Sequence, residues 1–401
     1  MGTLNRVLVP FFIAALPVAA MIAYIGYYYR VKPPVPEAGT VAAAAFGSAE
    51  WAVFRGDAAF CGAAEGTLPD RLELAWRFET GDAVKSTPTS AGGLVFISSM
   101  DGQLYGVDLK TGVERWRFKA DDALEASPLF ADGTVFVGSD TGTFYAVDAK
   151  SGQQKWAYQS NGKILGSANT FVEAGSGKRR VVFGSYDNYL YCLEAADGAL
   201  VWKHEAQNYI NGSPAIAEGA AVFGSCDGNL YIVPLGEPDK TRMVDIETYM
   251  AASPAIEGGV VYAGNYEGLF LAASMAGGEV LWRFRQESVP FVASPAVTAE
   301  RVLFGGRDNT LYCLNRADGA KAWTFAATEA IDSSPVVCGN RVVFGADNGR
   351  LYVVDLADGR EVFSYTLGKA VSSGPAIVDS TVLVGCDDGA VYAFRAAPSN
   401  P

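Results

Sequence analysis

A unit of about 40 residues recurs eight times along the chain, and this repeat constrains the fold more than any other feature. The unit is clearest between Ser127 and Tyr158, where four short apolar runs are separated by turn-forming residues at 131–133, 139–142 and 150–152. Turn residues at this spacing predict a four-stranded antiparallel meander. The equivalent positions in the eight copies are Pro88, Pro128, Ala168, Pro214, Pro254, Pro295, Pro335 and Pro375.

Eight four-stranded units of this length predict an all-β fold, an eight-bladed β-propeller. The fourth strand of the unit follows its own blade only seven times, and the missing copy is Leu74–Phe78 on the N-terminal side. Trp76 precedes Pro88 by 12 residues, as Trp116 precedes Pro128. We therefore expect this N-terminal strand to close the last blade, because ring closure removes free sheet edges that promote aggregation.

A tryptophan marks the fourth strand in most copies, and we predict a structural role for it. A large ring on the outer strand can wedge between neighbouring blades and bury much apolar area. Stacking on a cofactor is the alternative role. The positions are Trp76, Trp116, Trp156, Trp202, Trp282 and Trp323, while Arg242 and Phe363 occupy the slot in two other copies.

Charge and cysteine usage exclude several classes of function. The formal net charge is -13, which argues against a nucleic-acid partner because phosphate contacts need clustered Lys and Arg. The six cysteines form no CxxC pair and the chain has one histidine, so a zinc or haem-attachment site is not supported. We predict unpaired, buried thiols rather than a disulfide framework, no catalytic residues, and no bound metal or cofactor.

The N-terminal region differs from the repeats and predicts membrane attachment. Leu8–Tyr29 is apolar and uncharged, and about 20 such residues span a bilayer. A cleaved signal peptide is the alternative, although its apolar core would be shorter. The charges flanking the segment do not decide its orientation. The predicted order is an anchor (1–30), a Pro/Ala-rich linker (31–50), a lead-in segment (51–73), the propeller (74–396) and a tail (397–401).

One face of the predicted propeller combines acidic turns with aromatic loops. The turn between the second and third strands carries an acidic residue in each blade: Asp101, Asp140, Asp187, Asp227, Glu267, Asp308, Asp347 and Asp387. Such residues either accept hydrogen bonds from their own turn or steer a basic partner. The loops that link each fourth strand to the next blade emerge on the same face. Their aromatic residues either contact a partner or plug the mouth of the channel.

We predict a partner-binding face from these connecting loops. Its candidate residues are Asp121, Asp122, Tyr209, Asn211, Tyr249, Met250, Phe291 and Asp332.

The pattern from Val147-Asp148 through Gly152 to Trp156 resembles the repeats of the PQQ-like, or quinoprotein-like, β-propellers. The resemblance covers residues 51–396 and is specific for the fold rather than for function. It implies one of two kinds of protein. Quinoprotein dehydrogenases bind pyrroloquinoline quinone and calcium in the central funnel. BamB-type outer-membrane assembly factors and related anchored propellers are non-catalytic scaffolds.

The compact blades favour the second kind. Long insertions that would build a deep catalytic funnel are missing from the repeats, and no Cys-Cys dipeptide occurs. We therefore expect a membrane-anchored scaffold or accessory subunit that binds proteins of an envelope complex. We expect the propeller to be periplasmic or otherwise extracytoplasmic, mainly from the resemblance. A PQQ- and calcium-dependent dehydrogenase is the alternative.

Overall fold

The computed structural model of the protein describes residues 50–397, which form eight sheets arranged as the blades of a propeller. The predicted anchor at Leu8–Tyr29, the linker up to residue 49 and residues 398–401 lie outside the described residues. Within residues 50–397, no helix has the length and apolar character needed to cross a membrane.

The blades follow one another in chain order. Two strands precede the first blade: β1 (Ala63–Ala64) and β2 (Leu72–Glu79). Blades 1 and 2 consist of β3 (Thr89–Ala91), β4 (Leu94–Ser98), β5 (Gln103–Asp108), β6 (Glu114–Lys119), β7 (Leu129–Ala131), β8 (Thr134–Gly138), β9 (Thr143–Asp148) and β10 (Gln154–Gln159). Blades 3 and 4 consist of β11 (Asn169–Val172), β12 (Arg179–Gly184), β13 (Tyr189–Glu194), β14 (Leu200–Glu205), β15 (Ala215–Ala217), β16 (Ala220–Gly224), β17 (Asn229–Pro234) and β18 (Arg242–Asp245), with a 3-10 turn at Pro238–Lys240.

The second half repeats the pattern. Blades 5 and 6 consist of β19 (Ala255–Glu257), β20 (Val260–Gly264), β21 (Leu269–Ser274), β22 (Val280–Arg285), β23 (Ala296–Val297), β24 (Arg301–Gly305), β25 (Thr310–Asn315) and β26 (Lys321–Ala326). Blades 7 and 8 contain β27 (Val336–Cys338), β28 (Arg341–Ala346), β29 (Arg350–Asp355), β30 (Glu361–Thr366), β31 (Ala376–Val378), β32 (Thr381–Cys386) and β33 (Ala390–Ala396).

The ring is closed by the N-terminal strand, as the repeat count predicts. Strand β2 pairs antiparallel with β33, in a register that runs from Leu72 opposite Ala396 to Glu79 opposite Ala390. It supplies the fourth strand of blade 8, whose order is β2-β33-β32-β31. The prediction of an all-β, eight-bladed propeller closed in this way is confirmed.

Differences in burial explain why the inner and outer strands of a blade have different residue patterns in the sequence. The second and third strands of each blade are almost wholly buried, as in β8, because both sheet faces pack against neighbouring blades. The fourth strands, such as β10, alternate between exposed and half-buried residues. Inner strands therefore appear as continuous apolar runs, whereas outer strands show the two-residue period of a half-exposed strand.

The lead-in segment binds the innermost strands of successive blades. Trp51 forms a bridge to Ser90 of blade 1, and β1 adds to blade 7 in parallel with β27. In between, backbone carbonyls of the lead-in accept hydrogen bonds from inner-strand N–H groups of blades 2, 4, 5, 6 and 7: Ala52 from Phe130, Ala58 from Ile216, Ala59 from Ile256, Cys61 from Val297 and Gly62 from Val337. The segment thus follows the ring almost completely before β2 begins.

Arg55 of the lead-in is buried among these inner strands, with 1% of its surface exposed. Its guanidinium donates to the carbonyl oxygens of Ser334, Pro295 and Pro335, which belong to blades 6 and 7. Burial lowers the pKa of Arg55 to about 9, so the group stays charged at neutral pH. The lead-in is therefore fixed to the ring by side chain as well as by backbone.

The tryptophans of the fourth strands contact the next blade. Trp116 donates from Nε1 to the carbonyl oxygen of Ala149 at 2.9 Å. Its ring covers Gly152, where φ is 72° and an added Cβ would lie 2.7 Å from the indole. The same indole-to-carbonyl bond is made by Trp76, Trp156, Trp282 and Trp323.

Blade 4 departs from this arrangement on both sides. Arg242 occupies its tryptophan slot and donates from Nη2 to the carbonyl oxygen of Met275 in blade 5. Trp202 of blade 3 faces blade 4 and, among the described residues, its Nε1 has no acceptor. A cation can therefore make the contact between blades that an indole makes elsewhere.

Candidate functional site

A cavity of about 440 Å³ enters the centre of the ring. Its walls come from the inner strands and from the connecting loops, which join each fourth strand to the next blade, and Phe54 of the lead-in lines it as well. We call its opening among the connecting loops the channel mouth. The volume lies within the range of about 300–1,000 Å³ that is usual for ligand sites.

Six serines form a ring in the wall of this cavity: Ser127, Ser167, Ser213, Ser253, Ser294 and Ser334. In this serine ring, each Oγ accepts a hydrogen bond from a backbone N–H of the preceding blade at 2.9 to 3.0 Å. The six residues are 4–8% exposed. None of these hydroxyls donates to an acceptor within residues 50–397, so their protons remain available to whatever enters the cavity.

Two pairs of stacked tyrosines border the channel mouth, and we call them the aromatic arc. Tyr186 and Tyr209 stack with ring centroids 5.0 Å apart and planes 3° apart. Tyr249 and Tyr266 stack at 4.5 Å and 25°. The Tyr186 hydroxyl donates to Asn211 Oδ1 at 2.9 Å, which holds the first pair in place. Tyr209 is 49% exposed, so one pair presents an aromatic surface to solvent.

Arg307 joins the aromatic arc to the carboxylates of the mouth. Its Nη1 donates to the Tyr266 hydroxyl at 3.1 Å, and its guanidinium carbon lies 5.8 Å from the centre of that ring. On its other side the guanidinium pairs with Asp332 at 2.7 Å. Hydrogen bonds to Asp332 are the main cause that raises the pKa of Arg307.

Four carboxylates of blades 6 to 8 make up an acidic arc beside Arg307: Glu329, Asp332, Asp347 and Asp387. Reduced hydration of Asp347, followed by the charge of Asp332, raises the pKa of Asp347 to about 6. Asp387 and Glu329 act in the same direction, while Arg307 opposes them. Negative charge at this part of the mouth therefore exceeds what the one arginine compensates.

The structure brings together some of the predicted partner-binding residues. Tyr209 and Asn211 both contact Tyr186, and Tyr249 is linked to Asp332 through Tyr266 and Arg307. These four predicted residues, Tyr209, Asn211, Tyr249 and Asp332, therefore lie around one opening.

Asp121 and Asp122 are exposed on the loop between blades 1 and 2 and do not line the cavity. The Asp121 carboxylate accepts hydrogen bonds from the hydroxyls of Thr141 and Thr143. Asp122 Oδ1 accepts from the backbone N–H of Ala123 at 2.8 Å. Both carboxylates thus have local partners, and they lie at the periphery of the face.

The prediction is wrong for Met250 and Phe291, which are 0% exposed and cannot meet a partner. The Met250 side chain packs against Gly224, and the Phe291 side chain packs against Gly264. A Cβ at either glycine would collide with the side chain that covers it. The sequence contained the signal for this. Every blade has an apolar residue four positions before its first-strand marker, and these form a buried set: Val84, Leu124, Ile164, Ile210, Met250, Phe291, Ile331 and Val371.

The eight acidic turn residues do not share one position. Asp187 represents the first kind, because its carboxylate accepts from the Tyr189 N–H and from the Tyr191 hydroxyl at 2.7 Å. Asp101, Asp227 and Asp308 make the same local bonds, and Glu267 has the same place in the turn of its blade. Asp140, Asp347 and Asp387 lie one residue earlier in their turns, at the position that Tyr186, Tyr266 and Arg307 occupy in other blades.

That earlier position carries the residues that sequence reasoning missed. Tyr186, Tyr266 and Arg307 complete the aromatic arc and its link to Asp332, yet the repeat motif draws attention to the acidic residue that follows them. Their backbone N–H groups all bond to a connecting loop, as in Tyr266 to the Tyr249 carbonyl at 3.2 Å. Aligning the turns by position rather than by residue type would have identified them.

Residues 50–397 contain no cluster of acidic, histidine or cysteine side chains suited to a metal ion. Calcium in particular takes six to eight oxygen ligands. All six cysteines, which fall within this range, are unpaired, and five are buried. Burial of these five agrees with the prediction of single buried thiols, whereas Cys226 is half-buried.

Comparison with solved structures supports the fold. BamB from Moraxella catarrhalis aligns with a TM-score of 0.68 and 18% identity, over 82% of this chain and 99% of that one. A computationally designed protein, Ika8, aligns at 0.69 and 18% identity, over 81% and 100%. Quinohemoprotein alcohol dehydrogenase from Comamonas testosteroni aligns at 0.74 and 13% identity, over 88% and 82%. At these identities the likeness concerns the fold alone.

Sequence comparison is more specific. No curated protein matches the chain significantly. The family model described as outer membrane protein assembly factor BamB matches residues 70–182, 166–235 and 239–400, well over half of the chain. On this match, together with the PQQ-like repeats and the eight blades, the chain belongs to the BamB family of PQQ-like propellers.

Proposed function

We propose that this protein is a non-catalytic scaffold that binds another protein at the channel mouth. The observation that carries the proposal is the pairing of exposed aromatic surface with excess carboxylates around a single opening, as in Tyr209 and Asp347. Tyrosine and arginine are enriched at the centres of protein interfaces. The stacked pairs are already ordered, so little side-chain freedom is lost when a partner covers them.

We further propose that the scaffold is attached to a membrane and works in the cell envelope. The support for attachment is the uncharged stretch Leu8–Tyr29, which is long enough to span a bilayer. The support for the envelope is membership of a family described as outer membrane assembly factors. The partners would then be other proteins of an envelope complex.

The test is crosslinking and pull-down of the full-length protein from native membranes. We expect wild type to recover a stoichiometric partner, and Tyr209→Asp to lose it because a charge is placed on the exposed aromatic face. Leu281→Asp is the matched control, since Leu281 is 51% exposed on the outer strand of blade 5. It should retain the partner.

Two outcomes contradict the proposal. Retention of the partner by Tyr209→Asp would place the interface elsewhere. Recovery of the protein alone would reject the scaffold role. In that case, addition of quinone and calcium followed by absorption spectroscopy would test the enzymatic alternative, with a bound-quinone spectrum as its expected sign.

A further inference from the structure

The acidic arc holds charges that the structure leaves without counter-ions. Within residues 50–397, neither Asp347 nor Glu329 forms a salt bridge, and the only one made by the arc joins Asp332 to Arg307. Asp387 accepts a hydrogen bond from the Ser372 hydroxyl at 2.9 Å and has no cationic partner in the described chain. Three carboxylates are therefore available to a cation from outside.

Arg307 shows which cation this surface accommodates. It meets a carboxylate on one side and a tyrosine ring on the other, with two of its nitrogens bonded to Asp332 at 2.7 and 2.9 Å. Only a planar guanidinium can form a forked contact with a carboxylate while it lies over an aromatic face. Lysine offers a point charge without this geometry.

The aromatic arc has room for the same contact with an incoming group. Tyr209 is half-exposed, and Tyr249 lines the cavity. Both belong to stacked pairs, so each ring is held in one orientation and keeps an outer face or edge free. Tyr249 shares the cavity wall with Arg307 and Asp332.

The cavity behind the mouth can receive the backbone that carries such a side chain. The serine ring places six hydroxyls there, each more than nine-tenths buried and each without an acceptor for its proton among residues 50–397. Peptide carbonyl groups are the acceptors that such hydroxyls bind. The cavity volume of about 440 Å³ suits a short segment rather than a folded domain.

We propose that the channel mouth binds an arginine-bearing peptide segment of a partner protein. Guanidinium groups of the segment pair with the free carboxylates of the acidic arc and stack on Tyr209 and Tyr249 of the aromatic arc, while the segment backbone reaches the serine ring. This inference rests on the proposed scaffold function and specifies what the partner presents.

The experiment measures fluorescence anisotropy of two labelled peptides, hexa-arginine and hexa-lysine, with the full-length protein in mild detergent. The peptides have equal length and charge, so a purely electrostatic surface binds them alike. We expect hexa-arginine to bind about threefold to tenfold more tightly, because guanidinium–aromatic contacts favour it. Equal affinity for the two peptides would overturn the proposal.

Variants separate the two kinds of contact. Tyr209→Leu with Tyr249→Leu should bring the affinity ratio close to one, with circular dichroism and melting confirming that the variant is folded. Asp347→Asn should weaken both peptides. Asp239→Asn, which removes the same charge on the distant 3-10 turn, should change neither. An arginine preference that survives in the tyrosine variant would also overturn the proposal.

The pull-down distinguishes this inference from the proposed function. If the Tyr209→Asp variant loses its partner but the two peptides bind equally, the scaffold role holds and the arginine inference fails. If the peptides behave as expected but no partner is recovered, the scaffold role fails while the recognition chemistry of the mouth is retained.

Discussion

Arg55 is a buried charge whose partners all lie far away in the sequence. Its guanidinium is charged and the residue is 1% exposed. Its hydrogen-bond acceptors are backbone carbonyl oxygens, which carry only partial charges, and no carboxylate is among them. Its φ of 66° and the closeness of Gly62 show how tightly the backbone is folded around it. Desolvation of a charge is costly, and these hydrogen bonds offset that cost.

Replacing Arg55 with Met should lower the free energy of unfolding by about 2–4 kcal/mol, because three buried carbonyls lose a charged donor. Urea unfolding of the full-length protein measures the change. Arg115→Met is the control, since Arg115 is 54% exposed in its pair with Asp108 and surface pairs contribute about 0–1 kcal/mol. If both substitutions lower the free energy of unfolding by similar amounts, Arg55 does not fix the lead-in to the ring.

Asp347 predicts a pH dependence of stability. Its raised pKa, about 6, means that the folded state binds this proton more tightly than the unfolded state does. The resulting stabilisation is fully present below the unfolded pKa of about 3.9 and is lost as pH rises through the folded pKa. The melting temperature of wild type should therefore fall relative to that of Asp347→Asn as pH rises across this window.

A second substitution checks the cause. Arg307→Gln removes the cation that lowers the Asp347 pKa, so the midpoint of the pH effect should move to higher pH. If the melting temperatures of wild type and Asp347→Asn change in parallel across this pH range, folding does not shift the pKa of Asp347.

At the scale of the strand, the fourth strand of one blade contacts the turn between the third and fourth strands of the next blade. The indole Nε1 satisfies a turn carbonyl, and the ring covers a glycine with positive φ, as Trp156 does with Ala195 and Gly198. Repetition of this contact around the ring explains why Trp and Gly recur at fixed spacing.

Trp156→Ala should destabilise the protein by about 3–5 kcal/mol, through loss of ring burial and of the indole hydrogen bond. Trp202→Ala is the matched comparison, because its indole has no acceptor among the described residues. The destabilisation by Trp202→Ala should therefore be smaller by about 1 kcal/mol. Thermal and urea unfolding measure both, and a near-zero shift for Trp156→Ala would refute the role of the tryptophan between blades.

At the scale of the whole molecule, two devices join the ends of the ring. Strand β2 completes blade 8, and the lead-in bonds to inner strands of blades from one side of the ring to the other. A repeat array whose units contact only neighbours can unfold in stages. Closure and the lead-in couple all blades instead.

We therefore expect one cooperative unfolding transition. Tryptophan fluorescence reports on the lead-in through Trp51 and on six outer strands, while far-UV circular dichroism reports on all sheets. The two urea curves should coincide. Removal of residues 50–71 from the otherwise full-length chain should lower the midpoint, and two separate transitions in wild type would contradict the coupling.

The architecture could be predicted from the amino-acid sequence, because each blade repeats the same local physics. Alternating apolar runs, turn glycines and the tryptophan slot recur eight times, so the strand count and closure by Leu74–Phe78 follow from counting. The sequence also placed Tyr209, Asn211, Tyr249 and Asp332 on the connecting loops, where they border one opening.

The tertiary structure was needed to show how the connecting-loop residues pack and which residues they meet. Met250 and Phe291 were predicted to contact a partner, but they are buried and pack against Gly224 and Gly264, because only a residue without a Cβ leaves room for them. Tyr186, Tyr266 and Arg307 became visible as partners once distant turns and loops were brought together. The path of the lead-in and the burial of Arg55 likewise depend on contacts that span 240 or more residues, which no local pattern encodes.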